Sequence, residues 1–158
     1  MLATFALADL LPVNGGDGSK GFSISGNRAV SDLGDINGDG FADFAFGRAV
    51  FFGAPSGIPA ELDPVSLDGS NGFTVTGAQS FRGVRAAGDF NNDGFHDFTV
   101  LRDNANAIVF GRASFSSAID TTALGSDDGV FLTGADPTSL SGVGDLNGDG
   151  YADIAGGK

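Results

Sequence analysis

The chain has 158 residues, 41% of them hydrophobic, and a formal net charge of −12 from 20 acidic against 8 basic side chains. That length suffices for a packed core, while Lys and Arg scattered singly form no stripe to neutralise phosphates, which argues against nucleic-acid binding. Without cysteine there is neither a disulfide framework nor a thiolate metal site, and no segment is apolar enough for membrane insertion to be expected.

In chain order, residues 1–11 are fairly apolar but lack a basic flank and a small-residue cleavage site, so they are not read as a signal peptide. Gly16 to Gly21 fits a dinucleotide-binding spacing, yet it follows no buried strand and opens no helix, and is read as a loop. Phe22-Ser23-Ile24-Ser25-Gly26 then alternates apolar with polar, the period of a half-buried strand, and the pattern returns at Phe73 to Gly77 and Phe131 to Gly134.

After each such strand comes a small-residue segment, at 30–34, 84–88 and 140–144, and then a nine-residue acidic cassette. The three cassettes are Asp35-Ile36-Asn37-Gly38-Asp39-Gly40-Phe41-Ala42-Asp43, Asp89-Phe90-Asn91-Asn92-Asp93-Gly94-Phe95-His96-Asp97 and Asp145-Leu146-Asn147-Gly148-Asp149-Gly150-Tyr151-Ala152-Asp153. Apolar segments follow at 41–46, 95–101 and 151–155, so each cassette is expected to be a hairpin tip. A third strand, 50–53 or 108–111, follows in the first two repeats, and a Gly/Pro/Ser/Asp-rich loop leads to the next Phe-containing strand.

Four short antiparallel strands per unit of fifty-odd residues, with 27 glycines, 15 phenylalanines and no sustained helical period, predict an all-β chain built of β-propeller blades. The units are a single repeat domain over 1–158: an N-terminal outer strand within about 1–29, blades at 30–77 and 84–134, and a partial blade at 140–158. Propellers close with about four to eight blades, so roughly three predict a partial or open ring, with further blades or a second subunit to cover its ends.

The cassettes read as calcium loops. Each has oxygen side chains at positions 1, 3, 5 and 9 (Asp35, Asn37, Asp39, Asp43; Asp89, Asn91, Asp93, Asp97; Asp145, Asn147, Asp149, Asp153). A backbone carbonyl stands at position 7 (Phe41, Phe95, Tyr151) and a glycine at the sharp turn of position 6, an all-oxygen set suited to a hard cation. An EF-hand would need an acid at position 12, where Phe46, Val100 and Gly156 stand. Nineteen of the 20 acids are Asp and nine lie in these loops, so about three Ca²⁺ ions would halve the net charge. Mg²⁺ fits less well because it demands a near-ideal octahedron.

No catalytic constellation is expected: the single histidine, His96, is read as solvent-facing beside a metal loop, and Arg82 and Arg85 as solvated surface. At its cassettes, its Phe-Gly pairs (Phe46-Gly47, Phe52-Gly53, Phe110-Gly111) and Gly53-Ala54-Pro55, the chain resembles the FG-GAP repeat family, the integrin-α type β-propeller, whose bacterial members occur in secreted and surface proteins. The resemblance implies that each loop joins the first two strands of a blade and holds one calcium, and that the module serves adhesion or recognition of a protein or glycan outside the cell. An accessory propeller of a secreted hydrolase and an architectural spacer are the alternatives. Gly-Ala-Pro occurs once, becoming Gly111-Arg112-Ala113 in the next repeat.

Overall fold

A computed structural model describes residues 21–77, 79–103, 105–134 and 140–157. The apolar stretch at 1–11, most of the glycine-rich segment before Phe22 and most of the 1–29 unit therefore lie outside the described residues. Within the described residues there are thirteen strands, a one-turn 3₁₀ helix at Pro64–Ser66 and no α-helix.

Strands β2 (Val30–Gly34), β3 (Asp43–Phe46), β4 (Ala49–Phe51) and β6 (Gly72–Thr76) form an antiparallel meander. Strands β7 (Phe81–Gly88), β8 (Asp97–Arg102), β9 (Asn106–Val109) and β11 (Gly129–Leu132) form a second. The hairpin β12 (Ser141–Gly144) and β13 (Asp153–Ala155) begins a third. The fold is an open, propeller-like arc, with β7 packed between β2 and β12 at its inner edge.

Short parallel strand pairs are made by the two long loops. In the long loop between β9 and β11, β10 (Ala118–Asp120) pairs in parallel with β6 of the preceding sheet. In the equivalent loop between β4 and β6, β5 (Glu61–Leu62) pairs in parallel with β1 (Ser23–Ile24). The Phe22 segment is thus a strand, as its alternation predicts, but in the described residues its partner is β5.

Alternation within strands explains why both faces of the first sheet are buried. Leu33, Ala45, Val50, Phe73 and Val75 face the second sheet, which answers with Val84, Phe98, Val100 and Val109 while the β10 strap adds Phe115 and Ile119. On the opposite face Phe44, Phe46, Ala49 and Phe51 are covered by Phe22, Ile24, Ile58, Leu62 and Leu67. The phenylalanines stack directly: Phe73 lies 4.8 Å from Phe115 and 5.8 Å from Phe98, and Phe44 lies 5.2 Å from Phe51.

Strand boundaries differ from the sequence reading in one consistent way. The second strands start at Asp43, Asp97 and Asp153, two residues after Phe41, Phe95 and Tyr151, because the turn residues up to position 8 belong to the loop. The third strands end at Phe51 and Val109, so Gly53 and Gly111 fall outside the ladders. Their N–H groups are used by the loops instead.

Candidate metal centres

Each cassette joins the first and second strands of its sheet, and its shape is set by carboxylates accepting backbone N–H groups. In the first loop Asp35 Oδ1 accepts from Gly38 N–H at 2.7 Å and Asp39 N–H at 3.1 Å, and its Oδ2 accepts from Gly40 N–H at 2.8 Å. Asn37 Oδ1 shares the Asp39 N–H at 3.0 Å, Asn37 Nδ2 donates to Asp39 Oδ2 at 3.0 Å, and Asp39 Oδ1 accepts from Phe41 N–H at 2.9 Å. These are linked Asx turns, and they bring the side chains of positions 1, 3 and 5 together at an exposed tip.

The other two loops repeat the arrangement. Asp89 accepts from Asp93 and Gly94, Asn91 from Asp93, and Asp93 from Phe95, all between 2.9 and 3.1 Å. Asp145 accepts from Gly148, Asp149 and Gly150, Asn147 from Asp149, and Asp149 from Tyr151. Hydrogen bonds from the Gly150 and Gly148 N–H groups hold the Asp145 carboxyl below the usual carboxylate range. Glycine at position 6 has φ of 89, 92 and 91 in the three loops, a left-handed turn closed to most L side chains.

Position 9 behaves differently from the tip. Asp43 and Asp97 are buried at 1% and 0% exposure, and each ties the start of its loop to the segment that follows the third strand. Asp43 Oδ2 accepts from Ile36 N–H at 2.8 Å and Oδ1 from Gly53 N–H at 2.9 Å; Asp97 does the same with Phe90 and Gly111, both at 2.8 Å. Asp153 makes the first of these bonds, to Leu146 N–H at 2.8 Å. The recurring Phe-Gly pairs at 52–53 and 110–111 are the sequence trace of this tie.

Burial pushes Asp43 and Asp97 up to about 6, against the pull of the Gly53 and Ile36 N–H groups on the first and the Gly111 and Phe90 N–H groups on the second; the nearby carboxylates of Asp39 and Asp93 push the same way as burial. A carboxyl raised in the folded state above its unfolded value stabilises most while protonated, and that contribution fades as pH rises through the folded value. Calcium-free protein should therefore unfold with a free energy higher at pH 5 than at pH 7, by on the order of 1 kcal/mol for each of the two residues. Urea titrations at the two pH values check the sign. The carboxyls held low, such as Asp145 and Asp103, act only at more acidic pH.

The fifteen predicted donor residues therefore recur at equivalent places of the three hairpins, positions 1, 3, 5 and 7 in the loop and position 9 at the first residue of the second strand. Among the described residues, no three acidic or histidine side chains stand in a ready-made metal shell, since the loop carboxylates are turned onto N–H groups. The donor set nevertheless suits a hard cation in kind and number: it is all oxygen, and its tip members at positions 1, 3 and 5 converge.

His96 is exposed, with its ring against Gly34, and Arg82 pairs with Asp103 at 2.5 Å on the surface. Sequence reading did not find the position-9 tie or the main-chain bonds between loops: His96 N–H donates to the Asp35 carbonyl at 3.0 Å, and Ala152 N–H to the Asp89 carbonyl at 2.9 Å.

Sheet order and loop geometry together define an all-β, propeller-like repeat protein with its acidic loops at the first hairpin of each sheet. The FG-GAP repeat family model matches residues 137–158, the third loop with its flanking strands, which is one of the three places where the resemblance falls. The loops at 35–43 and 89–97 share that repeat's geometry. No curated protein matches the chain at a significant level. Among the described residues no helix is long and apolar enough to cross a membrane.

Proposed function

We propose that this protein is a calcium-stabilised, non-catalytic recognition module of integrin-α type, acting in adhesion or ligand binding at the cell surface or outside the cell. The observation that carries the reading is the threefold repetition of one oxygen-only loop on the first hairpin of each sheet. Asp35, Asn37 and Asp39, with Asp43 behind them, would hold one ion, and the same positions of the other loops would hold two more. Bound calcium would supply the positive charge that offsets three carboxylates crowded into nine residues. The loops are then braces for a ligand-presenting surface, the ligand being a protein or glycan. Extracellular calcium suits open, exposed sites of this kind, whose dissociation constants run to about 10⁻⁴–10⁻³ M.

Thermal unfolding with and without calcium tests this. Calcium at 100 times its dissociation constant should add about 2.7 kcal/mol per independent site and raise the melting temperature, and chelation should reverse the gain. Superimposable melting curves in calcium and in chelator would refute it.

A further inference from the structure

Basic side chains are scarce in this chain, 8 against 20 acidic ones, so carboxylates are in ample supply for every one of them. Arg82 takes Asp103, and Arg112 takes Asp128. Arg28 and Arg85 take none: both are exposed, and among the described residues neither makes a hydrogen bond or an ion pair. Although distant in sequence, Arg28, Arg82 and Arg85 line one cleft of about 590 Å³ between β2 and β7.

The fold holds these guanidinium groups at the cleft. β2 and β7 pack against each other as the edge strands of the first and second sheets. Gly47, at φ 60 in the turn between β3 and β4, lets the Arg28 stem lie across it, since a Cβ there would stand 3.2 Å from both Cγ and Cδ of Arg28. Arg82 is pinned through Nε, which donates to Asp103 at 2.5 Å, and its side chain is still 54% exposed. Arg48 lays its guanidinium 4.4 Å over the ring of Phe81, another lining residue, and brings a fourth positive charge to the wall. The carboxylate on the lining is Asp32, whose Oδ1 accepts from Gly34 N–H at 3.2 Å. Arg28 and Arg82 also lie at the ends of β2 and β7 remote from Gly34 and Gly88, where the acidic loops begin, which sets the positive cleft apart from the loop carboxylates.

The rest of the lining narrows the class of anion. Its large apolar side chains are Val30, Phe81 and Val84; Val84 is 3% exposed and Arg48 covers the Phe81 ring, so there is no apolar socket of the kind that anchors a docked peptide. A net charge of −12 repels a long polyanion. A carboxylate carried on a short, uncharged, hydroxyl-rich body meets both conditions. The planar guanidinium fork matches a carboxylate with two parallel hydrogen bonds, and Asn27 and Ser31 on the same lining offer an amide and a hydroxyl to sugar hydroxyls.

We propose that the cleft between β2 and β7 binds a short acidic sugar, its carboxylate held by Arg28 and Arg85 with Arg82 beside them. This assigns a ligand class to the recognition role proposed above, and it rests on that role and not on the calcium loops.

Titration of the whole chain with trigalacturonate, followed by amide NMR shifts in calcium and again in chelator, tests the assignment. Saturable shifts are expected at the cleft residues, and the uncharged methyl ester of the same trisaccharide should give none. Arg85→Ala should weaken binding by about tenfold, the scale of one lost charge-assisted hydrogen-bonding pair, and Arg28→Ala with Arg85→Ala should abolish it. Arg85→Lys keeps the charge without the fork and should fall between wild type and Arg85→Ala. Both positions are exposed, and circular dichroism secures the fold of each variant. Absence of saturable shifts with trigalacturonate, binding that the Arg28 and Arg85 substitutions leave unchanged, or equal binding of triglutamate, which would mark the cleft as a peptide site, overturns the proposal. Dependence on the arginines is read in each buffer separately, so failure here is distinct from failure of the loops to bind calcium, which the melting curves report.

Discussion

Phe73→Ala is expected to lower the unfolding free energy by about 3–5 kcal/mol, the range for emptying a buried phenylalanine site. Phe73 has 0% exposure and sits on β6 where the first sheet, the second sheet and the β10 strap meet. Its ring stacks on Phe115 at 4.8 Å and touches Phe52 and Phe98 at 5.9 and 5.8 Å, so truncation removes one member of an aromatic group whose neighbours are pinned by different strands. Relaxation into the space would require moving two sheets together. Phe131 opens the corresponding motif of the next repeat and is 47% exposed, with the Arg102 guanidinium over its ring at 5.4 Å. Phe131→Ala should cost only a fraction as much. Urea unfolding of the two variants provides the comparison, and equal losses would contradict the placement of the core between the first two sheets.

Asp97→Ala, measured in calcium-free buffer, should cost about 2–6 kcal/mol. The estimate rests on two N–H donors, those of Phe90 and Gly111, that lose their acceptor, at about 1–3 kcal/mol for each donor left buried and unpaired. The effect is larger than for an exposed Asx-turn residue because Asp97 joins the start of the loop to the end of the third strand at a site closed to water. Asp97→Asn keeps one acceptor oxygen and sets its amide nitrogen against the other N–H, so about half the loss should remain. Repeating the series in calcium separates two roles. A residue that only ties strands loses the same amount in both buffers, whereas one that also coordinates the ion loses more when calcium is present.

The local pattern was legible in the sequence where a residue's role is fixed by its near neighbours. The alternation around Phe73, the Asx-turn chemistry of the cassettes and the glycine at position 6 each act within a few residues, and each appears where expected. What escaped depends on contacts between distant segments. β5 and β10 are strands of two and three residues that exist because a distant segment, β1 for the first and the β6 edge for the second, offers a partner, and their own composition carries no strand signal. The second role of Asp43 and Asp97 lies 10 and 14 residues downstream, at Gly53 and Gly111, and the spacing differs between repeats, which hides it from a fixed motif. The pairing of Arg82 with Asp103 is another such long-range contact, formed across β7 and the end of β8.

The same distinction governs the metal loops. Composition establishes an oxygen-rich, charged tip, and hydrogen bonds from the backbone explain its shape. The ion itself is the step that needs direct measurement. Calorimetric titration of chelator-stripped protein with calcium is the most direct, carried to about 10⁻³ M or above. Three saturable sites are predicted, with Asp39→Ala, Asp93→Ala and Asp149→Ala each removing one and sparing the other two. Absence of any saturable heat in that range, or loss of all binding on a single substitution, would contradict three independent calcium loops.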